Sequence, residues 1–166
     1  MIRTVSIALV VLAVMTGGCA AVFAGEAKHT KELDVTIKHV DRAPIHVEAV
    51  NGSIEIVGAD VDEVEIHAVL KGPDEARLAA ASILAERAAD NTLRIGCWWP
   101  SKRQSNEGCS FSVRIPNAHG VTAETLNGAI RVESLEGPVV ADTANGSITM
   151  SGHHGEVTAD TSNGSI

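Results

Sequence analysis

Aromatic side chains are nearly missing from this chain: Tyr does not occur, and two Trp and two Phe are all that 166 residues contain. A core built without aromatics must be filled by Val, Ile, Leu, Ala and Thr, which suits a narrow interior better than a wide sandwich. Basic residues are also scarce: 13 Lys and Arg stand against 21 Asp and Glu, a formal net charge of -8. That balance argues against nucleic acid as a partner, because phosphates need a basic surface, and against a bare anionic membrane surface for the same reason. Cysteine occurs three times and never as C-x-x-C, so the sequence has no dithiol redox motif. The pair His153 and His154 lacks neighbouring ligands, and no Ser, His and acidic residue can be assigned as a catalytic triad from their order. The sequence therefore reads as non-enzymatic and without a metal centre.

Long apolar runs are absent but for one. Arg3 precedes "VSIALVVLAVM" (Val5 to Met15), the pattern of an export signal, so residues 1–24 are set apart from the fold. Two exits follow it. "TGGC" at 16–19 has the form of a lipobox, with Thr16 where Leu is usual, and would leave Cys19 as a lipidated N-terminus. "VFA", with Val22 and Ala24, would instead allow cleavage after Ala24. An uncleaved anchor is a third outcome, since Val5 to Ala24 is uncharged and just long enough to span a bilayer. All three place the remainder in the cell envelope outside the cytoplasm, lipid-anchored, periplasmic or on the surface, touching membrane only through the lipid or signal anchor. An oxidising compartment permits a disulfide between Cys97 and Cys109, which lie in "LRIGCWWP" and "CSFSVRIP" on either side of the polar loop "SKRQSNEG".

What the sequence has in quantity is itself. Asn127, Asn145 and Asn163 recur every 18 residues, each followed by Gly (Gly128, Gly146, Gly164), in units "GVTAETLNGAIRVESLE", "GPVVADTANGSITMSGHH" and "GEVTADTSNGSI". A further copy, "APIHVEAVNGSIEIVG", puts Asn51 and Gly52 in the same slots. On each side of Asn-Gly the residues alternate with period two: Val121, Ala123, Thr125, Ile130 and Val132 point one way, as do Val139, Ala141, Thr143, Ile148 and Met150. Asn-Gly supplies the positive φ of a sharp corner. In an antiparallel β-meander that corner is a hairpin. In a parallel β-solenoid it is a bend within one coil, and identical residues at a fixed interval stack into ladders, which a meander does not need. The expectation is therefore a mainly β chain forming a parallel β-solenoid of 18-residue coils, with the meander as the alternative. The hexapeptide template fails, because Asn127 and Glu133 occupy slots it needs apolar.

Residues 25–166 read as a single domain with an insertion at 61–117, cut short at Ile166 in the middle of a repeat. The insertion begins with the strand-like "VEIHAVL". "GPDEARLAAASILAERAAD" (72–90) then reads as one helix, started by Gly72 and Pro73 and carrying an apolar stripe of Leu78, Ala81, Leu84, Ala85 and Ala88. Two strands follow, giving strand, helix, strand, strand. The run from "FSVRIP" at Phe111 through the N-G-x-I ladder, preceded by this insertion, resembles the bacterial putative adhesin domain, a family of envelope proteins of unknown function. The resemblance spans roughly Lys31 to Ile166, implies a parallel β-solenoid outside the cytoplasmic membrane, and brings no catalytic residues with it.

Parity lines up Glu48, Glu124, Asp142 and Asp160 on one outward row, a ladder of carboxylates about 5 Å apart. It reads first as a solvated, screened face and second as a site for Ca²⁺ or a cationic partner. Trp98 and Trp99 are adjacent on one strand, so they face opposite ways; either could contact a ligand, and packing against the domain is the plainer use. The functional expectation is an adhesion or binding scaffold for a protein or polysaccharide partner. A sensory or accessory ectodomain of an envelope stress system is the alternative.

Overall fold

The computed structural model describes residues 29–116 and 118–166. Cys19 and the signal segment at 1–24 lie outside them. Twelve strands and one short helix follow in order: β1 (His29–Lys38), β2 (Ile45–Asn51), β3 (Ile54–Gly58), β4 (Glu63–Gly72), α1 (Glu75–Ala80), β5 (Ser82–Arg87), β6 (Leu93–Trp98), β7 (Gly108–Ile115), β8 (Val121–Asn127), β9 (Ile130–Glu133), β10 (Val139–Asn145), β11 (Ile148–Ser151) and β12 (Val157–Asn163). They form two six-stranded sheets, the first in the order β1-β4-β7-β3-β9-β11 and the second β12-β10-β8-β2-β6-β5. Neither closes into a barrel.

The repeat dictates the pairing. β8, β10 and β12 run parallel with Val121, Val139 and Val157 in register, and likewise Ala123, Ala141 and Ala159. β2 joins the same row, Ile45 beside Val121 and Asn51 beside Asn127. In the first sheet Ile54, Ile130 and Ile148 line up across β3, β9 and β11. The two strands flanking each Asn-Gly thus belong to different sheets. The corner is not a hairpin, and the antiparallel alternative does not hold for the repeat.

The insertion departs from a purely parallel arrangement. β6 and β7 add to β2 and β3 in parallel, on the side opposite β8 and β9. Beyond them, β4 pairs antiparallel with β7, β1 with β4, and β5 with β6, so both sheets are mixed. The single helix expected over 72–90 is also corrected. α1 ends at Ala80, Ala81 is already extended, and Ser82–Arg87 is a strand. The apolar residues Ile83 and Ala85 fit period two as well as a helical stripe. Pairing with β6 covers an otherwise open strand edge, which outweighs the helix propensity of alanine. Asp74 caps the helix by accepting from Arg77 N at 3.0 Å, and the Lys31 ammonium donates to the carbonyls of Ala79 and Ala81 at its end, each at 2.7 Å. The insertion is therefore strand, helix and three strands.

Alternate residues of both sheets meet in one buried cluster: Val47, Ala123 and Ala141 from the second sheet, Ile54, Ile56, Ile66, Val113 and Ile130 from the first. Among the described residues Phe111 is the one aromatic side chain fully buried in it.

Candidate functional site: a ladder and an acidic-apolar face

Each Asn-Gly corner builds part of a ladder. Asn127 Nδ2 donates to Asn51 Oδ1 at 2.7 Å, Asn145 to Asn127 at 2.8 Å, and Asn163 to Asn145 at 3.0 Å. The first rung is closed by the loop between β6 and β7, where Asn51 Nδ2 donates to the carbonyls of Ser105 at 2.8 Å and Glu107 at 3.0 Å. A second ladder lies beside it: the Oγ1 atoms of Thr125, Thr143 and Thr161 donate to the carbonyls of Gly52, Gly128 and Gly146 at 2.9, 3.0 and 2.9 Å. Sequence reasoning placed Thr125 and Thr143 inward but missed the hydroxyl's role; the signal was a Thr two residues before every Asn in three units.

The glycines correct one expectation. Gly52, Gly128, Gly146 and Gly164 do not adopt left-handed φ; they are glycine because no Cβ fits. A Cβ on Gly128 would stand 2.1 Å from Gly52 O, and one on Gly146 would stand 2.0 Å from Gly128 O. Positive φ occurs instead where one repeat passes to the next, at Gly120 (+118°) and Gly137 (+86°).

The loop that closes the ladder is pinned from behind. Cys97 at the end of β6 and Cys109 in β7 are joined by a disulfide. Between them Glu107, 1% exposed, accepts from Arg77 Nε at 2.7 Å, Arg77 Nη2 at 3.0 Å and Gln104 N at 2.7 Å. The Arg77 hydrogen bond holds the Glu107 carboxyl below the usual carboxylate range against the opposing effect of burial, and the same bond raises Arg77. Nothing in the sequence marked this pair, whose members lie 30 residues apart.

The outer faces of the two sheets differ sharply. On the first, charges are paired: His67 Nδ1 with Asp34 at 2.8 Å, Arg114 with Glu65 at 2.6 Å, and Arg131 with Glu55 at 3.9 Å and with Glu133. On the second, Glu48, Glu124, Asp142 and Asp160 are in register across β2, β8, β10 and β12. Among the described residues Glu124 meets His46 Nε2 at 3.7 Å, and the other three carboxylates make no ion pair. Around the row stand uncovered apolar side chains: Leu126 is 50% exposed, Trp98 49%, Val140 42% and Leu84 41%. Trp99 turns the other way and packs against the core. Two adjoining cavities open at this face, one of about 220 Å³ beside Leu84, Gly96 and Arg103 that reaches inward to Trp99 and Cys109, and one of about 390 Å³ beside Glu124, Leu126 and Asp142. They meet at Glu48, Ala49 and Val50.

The acidic residues form a row rather than a cage: among the described residues no three of His, Cys, Asp and Glu converge so as to hold a metal ion. His154 serves the turn through its backbone, its N–H donating to Leu135 O at 2.9 Å and its carbonyl accepting from Gly137 N at 3.0 Å.

No protein-family model and no curated protein matches this sequence. Solved structures do. A putative adhesin from Parabacteroides merdae is similar over 79% of this chain and 58% of its own, with 14% identity and a TM-score of 0.40. One from Bacteroides fragilis is similar over 85% of this chain and 99% of its own, with 10% identity and a TM-score of 0.40. A putative cell adhesion protein from Clostridium sporogenes shares the fold over 84% of this chain and 98% of its own, at 7% identity and a TM-score of 0.50.

Proposed function

We propose that this chain is a non-enzymatic binding scaffold of the cell envelope, a β-solenoid whose stacked coils hold one repetitive face toward a partner. The observation that carries the reading is the contrast between the two outer faces. The first sheet pairs several of its charged groups, Arg114 with Glu65 and Arg131 with Glu55 and Glu133, and hydrogen-bonds His67 to Asp34. The second leaves three of the four carboxylates in its row, Glu48, Asp142 and Asp160, without an ion pair and four large apolar side chains without cover. Like charges at strand spacing cost about a few tenths of a kcal/mol per pair, and exposed aliphatics gain nothing from water, so this face is organised for something other than the stability of the free domain. Stacking explains the rigidity: a face fixed by Asn and Thr ladders keeps its spacing when a ligand binds, so little ordering entropy is lost. The envelope location follows from the export signal at 1–24, with Cys19 as lipid anchor. A solved structure that shares the fold is described as a putative cell adhesion protein, in keeping with this reading.

The test is binding of the purified domain to isolated envelope polymers and whole cells. Saturable binding that Glu124→Gln with Asp142→Asn weakens, circular dichroism unchanged, supports the scaffold. Turnover of any polysaccharide in the same panel would refute the non-enzymatic reading.

A further inference from the structure

The face of the second sheet has an order that specifies its partner's chemistry. In β8 Leu126 lies two residues beyond Glu124; in β10 Val140 lies two residues before Asp142. Since β8 and β10 are parallel and in register, these apolar side chains fall on opposite sides of the acidic row, each about 7 Å from it along the strand. Beside Val140 the same side of the row carries His46, Thr122 and Thr158, so that flank is apolar at β10 alone, and Leu126 and Val140 are the large exposed aliphatic side chains that border the row. No Lys, Arg or His occurs in β8, β10 or β12 to neutralise it, and no aromatic side chain occurs there either.

Resting on the scaffold reading, we infer that this face docks a basic amphipathic helix of another polypeptide, laid across the strands. Its cationic stripe meets Glu48, Glu124, Asp142 and Asp160, and its apolar flanks cover Leu126 and Val140. Three arguments select that occupant. Charge complementarity calls for cations at Glu48, Asp142 and Asp160, which make no ion pair, while Glu124 already meets His46. Spacing favours a helix: the rungs repeat every 4.8 Å or so, a helix brings one residue of a stripe forward about every 5.4 Å, and an extended strand about every 6.8 Å. Over three steps a helix slips by about 2 Å, within the reach of a Lys stem, and a strand by about 6 Å. Chemistry favours apolar side chains laid over Leu126 and Val140, which gain from burial; Trp98, the exposed aromatic side chain of this face, lies on β6, two strands away from β8.

The probe is a synthetic Leu/Lys peptide of about 18 residues, or some 27 Å as a helix, with Lys at i, i+4, i+7 and i+11 flanked by Leu. Its binding is followed by fluorescence of Trp98 and Trp99, the only tryptophans in the chain. Controls are a scrambled peptide of the same composition, a glucosamine oligomer and CaCl₂. The expected result is saturable, salt-sensitive binding of the periodic peptide. It weakens about tenfold or more with Glu124→Gln/Asp142→Asn and with Leu126→Ser/Val140→Thr, and less than about twofold with the charge-matched Glu55→Gln/Glu65→Gln on the first sheet. Equal binding of the scrambled peptide, or equal weakening by the first-sheet variant, would show attraction to net charge alone and overturn the inference. Binding of the glucosamine oligomer in place of the peptide, lost in Glu124→Gln/Asp142→Asn, also overturns it while leaving the scaffold reading intact. Envelope binding indifferent to every variant of this face would end both.

Discussion

Replacing Gly128 by Ala should cost far more than an alanine usually costs a strand. A Cβ there would lie 2.1 Å from Gly52 O and 2.5 Å from its carbon, and ordinary contact begins near 3.4 Å. Both atoms are backbone, so relief requires the two neighbouring repeats to separate by about 1.3 Å at this corner. Three hydrogen bonds cross the gap: Asn127 to Asn51 at 2.7 Å, Thr125 to Gly52 O at 2.9 Å, and Ile54 N to Ala129 O at 2.9 Å. Lengthened to about 4 Å, none of them survives. At about 1 kcal/mol each, with an extra penalty for the buried Thr125 hydroxyl, the loss is about 3–5 kcal/mol, a large part of the 5–15 kcal/mol that usually holds a domain. Gly96→Ala is the control. The nearest atom to its Cβ would be Glu48 O at 3.8 Å and its φ is not left-handed, so the substitution should be neutral or stabilise by about 0.5 kcal/mol through the unfolded chain. Urea unfolding of the three proteins, followed by far-UV circular dichroism, decides the matter. A Gly128→Ala midpoint within error of wild type would refute the crowding argument, and so would equal losses for the two variants.

Thr143→Val keeps the volume of a buried side chain and removes its 3.0 Å hydrogen bond to Gly128 O; urea melts should show a loss of about 1–2 kcal/mol. Glu107→Gln should cost about 1–3 kcal/mol at neutral pH by weakening the Arg77 contact. The folded-state pKa of Glu107 lies below its unfolded value, so its stabilisation is complete above about pH 4.3 and is lost as pH falls through the folded value. The gap between wild type and Glu107→Gln should accordingly narrow in acid, and a gap constant from pH 7 to pH 3 would contradict the assignment. Reduction of Cys97–Cys109, separated by 12 residues, should lower stability by about 3 kcal/mol, read as a drop in the urea midpoint with dithiothreitol.

The repeat was legible because stacking demands identity: side chains that meet their own copies every 18 residues leave a period in the sequence, and strand register followed from it. The reason for the glycines was not legible. Left-handed φ and a blocked Cβ both select Gly, and only the position of Gly52 O relative to Gly128 separates them. The helix was overextended because Leu84 and Ala85 fall on its apolar stripe while Ile83 and Ala85 alternate as a strand's inward residues, and the choice is made by β6, which lies beyond the window. The Arg77–Glu107 pair and the antiparallel strands β1, β4 and β5 are non-local in the same sense. The acidic row could be aligned from parity alone, but the three carboxylates in it that make no ion pair and the exposed Leu126 and Val140 beside it became visible only with both sheets in place.

The most direct test of the account is to follow backbone amide resonances during titration with the periodic Leu/Lys peptide. The account predicts shifts confined to the outer face of the second sheet, at Glu48, Glu124, Leu126, Val140, Asp142 and their neighbours, with β1, β4 and β9 unmoved. Shifts centred on the charge-paired face of the first sheet, or spread evenly over both, would contradict it.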